Sequence, residues 1–249
     1  MHNTTRILTI LLQQLSSFAR SHSPPLDNIV GIELLNEPAT NGNHSTLESW
    51  YTDTIRQMRA IDATIPLVIG DSWWTDHFAD FIHKAGMDGL VLDHHLYRCF
   101  TPEDSKKSAQ QHAQELADPN GGTSKMLQSA ADKLAEAGGG LIVAEWSGAL
   151  NPGSLQGGGS ETELKRQYVG AELALFERTC GGWFYWTYKK EGGGDTGWGW
   201  RDAVEAGVFP LDFGLKPNSA ARIRDDPDRP SRRDQAGQRQ LSKLFSNPL

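Results

Sequence analysis

Cysteine is nearly absent, with two residues, Cys99 and Cys180, in a chain of 249. That is too few for a disulfide framework, and their separation does not suit a structural zinc site. Basic charge is also scarce: 24 Lys and Arg stand against 31 Asp and Glu, a formal net charge of -7. The cationic excess that draws a phosphate backbone is missing, so nucleic acid is not an expected partner. Long apolar runs are lacking too. Residues 7 to 15 come nearest and are broken by Thr9, Gln13 and Gln14, well short of the roughly 18 apolar residues that a bilayer crossing needs, so no membrane partner is expected. The opening residues show neither a basic region nor a small-residue cleavage site, and no secretory leader is read in them.

What is present is a globular composition, 38% hydrophobic and 22% charged with 26 glycines, large enough for a sizeable core. Residues 5 to 20 place Ile7, Leu8, Leu11, Leu12, Leu15 and Phe18 at helical spacing, and Pro24 and Pro25 close that segment. Residues 28 to 35 (NIVGIELL) form a β-branched apolar run suited to a buried parallel strand, ending in Asn36, Glu37 and Pro38. Ser45 and Glu48 read as a capping box that opens a helix running to about residue 61. Further strands are predicted at 66–70, 89–97, 141–146 and 182–188. Helices are predicted near 75–85, 102–117 and 124–137, and after a second capping box at Ser160 and Glu163. Five strands alternating with helices predict an α/β fold with a parallel sheet, either a (β/α) barrel or an open sheet. Residues 217 to 249 carry seven Lys and Arg against four Asp and are read as a weakly packed C-terminal extension to a domain of residues 1 to 216.

Two carboxylates end apolar strands. Glu37 follows the 28–35 run, and Glu145 closes Leu141, Ile142, Val143 and Ala144, both at the edge where α/β enzymes place reactive groups. One such Glu is commonly a loop or capping residue, but two, each followed by an aromatic-bearing loop, favour chemistry. Glycosidic cleavage needs this pairing: one group protonates the leaving oxygen, while the other attacks the anomeric carbon or activates water. In LDHHLY the two-residue strand period sends Asp93, His95 and Tyr97 one way and His94 and Leu96 the other. His95 reads equally as a satisfied core imidazole or as a functional one. No metal is expected, because His94 and His95 diverge and no other ligand spacing occurs. Of eight Trp, five lie at 146, 183, 186, 198 and 200. Indole faces stack on sugar rings, so these suggest a carbohydrate cleft. Trp183 and Trp186 serve equally as core residues, whereas Trp198 and Trp200, in a glycine-rich loop, are better placed to meet substrate. The glycines at 192 to 194 lack the Lys and Ser/Thr of a phosphate loop.

GIELLNEP (31–38), LDHHLY (92–97), IVAEWSGAL (142–150) and GWFYWTYKKE (182–191), in this order, resemble glycoside hydrolase family 5 over roughly residues 5 to 215. Among its members, the fungal exo-β-1,3-glucanases are favoured by GWGWRDAVEAGVFP at 197–210. The resemblance implies a retaining glycosidase without a cofactor, acting on β-1,3-glucan, with Glu37 as acid/base and Glu145 as nucleophile. It further implies that Asn36 holds the sugar 2-hydroxyl, that His95 and Tyr97 flank the site with Tyr97 near Glu145, and that Trp186 forms a sugar platform. Such a pair works with carboxyl groups about 5 to 5.5 Å apart. Other family specificities (β-1,4-glucan, β-1,6-glucan, mannan) and a catalytically inactive glucan-binding remnant are the alternatives.

In that family the acid/base Glu ends the fourth strand, after three βα units of about 30 residues each, whereas 36 residues precede Glu37 here. The resemblance therefore implies a partial (β/α)8 TIM barrel, strands four to eight, lacking an early-strand Arg and a third-strand His. Sheet edges left unpaired in this way are an aggregation hazard, and the expectation is a fragment or shortened gene model that hydrolyses glucan poorly or not at all. Family resemblance implies an extracellular or cell-wall location, and sequons at Asn3 and Asn43 are compatible with it. Cys99 follows one strand and Cys180 precedes another, so the two are expected a strand length apart and free. Nothing in the sequence sets an oligomeric state.

Overall fold

The computed structural model describes residues 1–23 and 29–210. The predicted extension at 217–249 lies outside the described residues. The described residues form two compact units, one within Met1–Asp93 together with Lys133–Gly140, the other of His94–Asp132 together with residues 141–210.

In the first unit, α1 (His2–Arg20) and α2 (Ser45–Arg59) flank β1 (Ile32–Glu33) and β2 (Leu67–Gly70), followed by α3 (Thr75–Ala85) and the start of β3 (Leu90–Leu96). β1, β2 and β3 pair in parallel, with Leu67 opposite Leu90 and Gly70 opposite Asp93. Every residue of β2 and β3 is buried: residues 67–69 and 90–92 as apolar runs covered on both faces should be, and the polar Asp93, His94 and His95 of β3 as well. Helix α1 buries only the narrow stripe Thr5, Leu8, Leu12 and Ser16. Thr5 fixes its register on α2: its hydroxyl accepts the Trp50 indole N–H at 2.8 Å and meets Thr54 Oγ1 at 2.9 Å. Ile7 and Phe18, both 59% exposed, face outward. The left-handed Gly86 (φ 61°) ends α3, with Met87 N–H bonding back to Ile82.

Two local expectations are corrected here. The strand predicted at 28–35 contracts to Ile32–Glu33. Leu34 N–H still reaches Val68 O at 2.9 Å, but the chain then turns against the end of β2, where a Cβ on Gly70 would stand 3.2 Å from Leu35 O and 3.1 Å from Pro38 Cδ. The capping box at Ser45 does not form. His44 is the N-cap, Ser45 bonds Asn43 Oδ1, and the Glu48 carboxylate is taken by His77 Nε2 at 2.7 Å.

The second unit takes the end of β3, then α4 (Pro102–Ser105), α5 (Ala109–Ala117) and most of α6 (Gly122–Glu136). Next come β4 (Gly140–Trp146), a 3-10 turn at Pro152–Leu155, α7 (Glu161–Thr179), β5 (Gly182–Tyr185) and α8 (Trp200–Glu205). The helix predicted over 102–117 is two, because Thr101 with Asp104 and Ser108 with Gln111 each complete a capping box and restart the helix. At α7, Ser160 accepts Glu163 N–H at 3.3 Å, which is one half of the predicted capping box. The core centres on fully buried Trp146, with Phe176, Trp183 and Tyr185 rings 5.2, 5.3 and 5.0 Å away. β5 stops three residues early because Thr187 exchanges backbone hydrogen bonds with Trp198 and Trp200 instead of continuing the ladder. Trp200 begins α8 and stacks on Tyr188, so its role is packing rather than that of a loop-borne indole.

The strand order β1-β2-β3-β4-β5 follows the chain, with helices in the connections. This is a partial (β/α)8 barrel.

Candidate active site

In the first unit, Asn36 and Glu37 lie in the turn after β1, both exposed. Glu37 has φ 44°, a left-handed backbone that costs a non-glycine residue of order 1–3 kcal/mol and concentrates at functional sites. Pro38, buried against Gly70, holds the turn in place. The sequence therefore located this carboxylate correctly but placed it directly on a strand end, whereas a strained turn presents it.

In the second unit, the β3 end and β4 converge. Tyr97 Oη donates to Glu145 Oε2 at 2.7 Å, and His95 Nδ1 lies 3.6 Å from the same oxygen. The common direction predicted for His95 and Tyr97 is what brings both to Glu145. A bulge aims the carboxylate: between Val143 and Trp146, β4 advances three residues while β5 advances two, from Trp183 to Tyr185. The extra residue breaks the side-chain alternation at Ala144 and Glu145. His95 is buried and the Glu145 side chain 17% exposed, and the hydrogen bond from Tyr97 fixes the carboxylate's orientation. Such a carboxylate is suited to attack on an electrophilic carbon.

Trp198 packs against Tyr97, ring centroids 5.6 Å apart, and Phe100, 5.9 Å apart. Trp186 follows β5, is 51% exposed as a residue and donates its backbone N–H to Trp146 O at 2.8 Å, and its peptide bond to Thr187 is cis. Tyr185, whose ionisation burial suppresses, donates its hydroxyl to Gly197 O and accepts Gly148 N–H at 2.9 Å, tying the loop after β4 to the loop after β5. Both cysteines are free, as expected.

Sequence reasoning passed over three groups. Phe100, 70% exposed, completes the aromatic cluster with Tyr97 and Trp198. Trp73 and Trp74 stand exposed after β2, where Ser72 and Trp73 take φ of 51° and 58° and Asp71 accepts the Trp73 N–H at 2.8 Å. The strand-end rule that found Glu37 would have found them too. Asp195, in the loop after β5, left no sequence signal. Among the described residues no helix is long and apolar enough to cross a membrane.

A family model described as Cellulase (glycosyl hydrolase family 5) matches residues 14–192. An uncharacterized glycosyl hydrolase of Saccharomyces cerevisiae is 28% identical over 187 residues, covering 74% of this chain and 35% of the relative. Glucan 1,3-beta-glucosidase 3 of Schizosaccharomyces pombe is 28% identical over 197 residues, 77% of this chain and 38% of the relative. The glucan 1,3-beta-glucosidase of Yarrowia lipolytica is 28% identical over 210 residues, 75% and 49% respectively. The chain thus spans half or less of the length of these relatives.

Proposed function

Because this chain belongs to glycosyl hydrolase family 5, we propose that it serves retaining hydrolysis of β-1,3-glucan, with Glu145 as nucleophile and Glu37 as acid/base. The observation that carries the reading is the Tyr97 hydroxyl on Glu145 Oε2 at 2.7 Å. A phenol donating to one carboxylate oxygen leaves the other oriented for attack.

In the first step Glu145 attacks the anomeric carbon. The bond to the leaving oxygen breaks, and Glu37 gives that oxygen its proton. In the second step Glu37 takes a proton from water, which displaces Glu145 and releases the sugar with its configuration retained. Asn36 would hold the 2-hydroxyl, and His95 would pack beside the nucleophile. Trp186, with its open indole face, and Trp198 would stack on sugar rings. The left-handed backbone of Glu37 supports its role, since strain at an exposed carboxylate fits a functional placement. The glucan linkage is supported by the similarity to the two glucan 1,3-beta-glucosidases. Neither nucleic acid nor membrane is proposed as partner, and the location that fits a glucan substrate is extracellular or in the cell wall.

The test is sugar release from laminarin, β-1,4-glucan, β-1,6-glucan and mannan by the 249-residue chain, with the product anomer followed by NMR. Slow release of β-glucose from laminarin, well below that of a full-length relative and reduced on the order of 1,000-fold further in both Glu145→Gln and Glu37→Gln, is expected. Preference for another polysaccharide would overturn the linkage. Glucan retention without sugar release, unchanged by Glu145→Gln, would replace catalysis with binding.

A further inference from the structure

The loop after β5 is organised around one carboxylate. Asp195 Oδ1 accepts the backbone N–H groups of Gly197 at 3.0 Å and Trp198 at 3.1 Å, and Oδ2 accepts Lys190 Nζ at 2.5 Å. Its own N–H donates to Asp202 Oδ2 at 3.2 Å, and its carbonyl accepts Gly199 N–H at 2.8 Å. The adjacent Thr196 accepts Lys165 Nζ at 3.0 Å, and Lys165, its side chain 8% exposed, also holds Glu161 at 2.6 Å. These groups border a polar cavity of about 310 Å³. Its two ammonium groups are committed to protein oxygens, so the cavity reads as the framework of the loop rather than as a receptor.

The loop needs such a framework. Gly192, Gly193 and Gly194 have φ of 84°, 67° and 75°, and a Cβ on any of them would meet nothing within 4 Å. Three consecutive glycines carry large conformational freedom that only external ties remove. Burial opposes the charge on Asp195, but Lys190 and the two N–H groups outweigh it and hold the carboxyl below its ordinary range. It is therefore ionised wherever the chain is folded near neutral pH.

What the ties hold is Trp198, whose ring lies against Tyr97, the donor to Glu145. We propose that Asp195 is a positioning residue: by binding Gly197, Trp198 and Lys190 together it sets the Trp198 indole against Tyr97 and so shapes the aromatic wall beside Glu145. The proposal rests on the assignment of Glu145 and Trp198 to the sugar site.

The test uses the 249-residue chain labelled with 5-fluorotryptophan, the Trp198 signal being assigned by Trp198→Phe. In Asp195→Ala the Trp198 ¹⁹F resonance is expected to shift and broaden while those of Trp50 and Trp146 stay put. In Asp195→Asn, which keeps the Oδ1 acceptor, it should stay near its wild-type position. On laminaritriose, kcat/KM should fall about 10-fold in Asp195→Ala, chiefly through KM, with Asp195→Asn within about threefold of wild type. If Asp195→Ala does not fold, Asp195→Glu, which keeps the charge but displaces the acceptor, must move the same resonance. An unmoved Trp198 signal in the folded variant overturns the proposal, as does a moved signal with kcat/KM within twofold of an active wild type. A wild type that neither cleaves nor binds glucan sinks the sugar-site assignment instead, and the resonance still decides whether Asp195 places Trp198.

Discussion

Tyr97 and Glu145, which leave adjacent parts of the chain's sheet 48 residues apart in sequence, share a 2.7 Å hydrogen bond on which His95 also converges. Tyr97→Phe removes only the hydroxyl and leaves the ring packed on Phe100 and Trp198. A hydrogen bond to a charged group contributes about 1.5–3 kcal/mol, so kcat should fall roughly 10- to 100-fold while the melting temperature hardly changes. Steady-state kinetics on laminaritriose beside a thermal melt would check this, and an unaltered kcat would remove Tyr97 from the mechanism.

Glu172 on α7 is fully buried, accepts the Tyr168 hydroxyl at 2.6 Å through Oε1, and has no protein partner on Oε2. Burial pushes its pKa well above the carboxylate range, opposed by Tyr168 and the Arg98 guanidinium. Above about pH 4.3, where the unfolded chain loses this proton and the folded chain keeps it, folding stability must fall as pH rises. Glu172→Gln keeps an acceptor for Tyr168 and abolishes that slope. Melting temperatures between pH 5 and 8 should decline more steeply for wild type, and the variant should be the more stable by about 3 °C or more at pH 8. Parallel curves would mean that Glu172 is ionised.

Gly139 precedes β4 where a Cβ would stand 2.1 Å from the Leu90 carbonyl oxygen. Gly139→Ala should destabilise by about 2–3 kcal/mol or prevent folding, since the clash is with backbone that cannot turn aside. Gly170, within α7 and with nothing within 4 Å of its Cβ position, should do the reverse. Gly170→Ala is expected to stabilise by about 1 kcal/mol on helix propensity. Urea denaturation of the two variants compares them directly, and the same sign for both would contradict the packing.

Burial pushes the Cys180 thiol up to about 12 and the Cys99 thiol up to about 11, with Asp104 and Glu172 adding to the effect at Cys99. Neither should react promptly with Ellman's reagent at pH 8 in the native protein, and two equivalents should appear on denaturation. A fast native burst of one equivalent would show a thiolate that the fold does not account for.

Sequence pattern alone located every strand and set α3 at residues 75–85, because apolar periodicity and the break at Gly86 act through neighbours along the chain. The same reasoning aligned His95 with Tyr97, since the period of an extended chain is fixed by its covalent geometry, and put Glu37 after one strand and Glu145 at the end of another. It went astray wherever distant groups compete for one partner. His77 takes the Glu48 carboxylate from a capping box, and Trp198 and Trp200 take Thr187 from β5. A second cap at Ser108 restarts a helix that periodicity alone would continue. The bond from Tyr97 to Glu145, the strained turn at Glu37 and the ties of Asp195 were decided by tertiary structure only. Each depends on which hydrogen-bonding groups the folded chain brings within 3 Å or so of one another, and no local pattern encodes that.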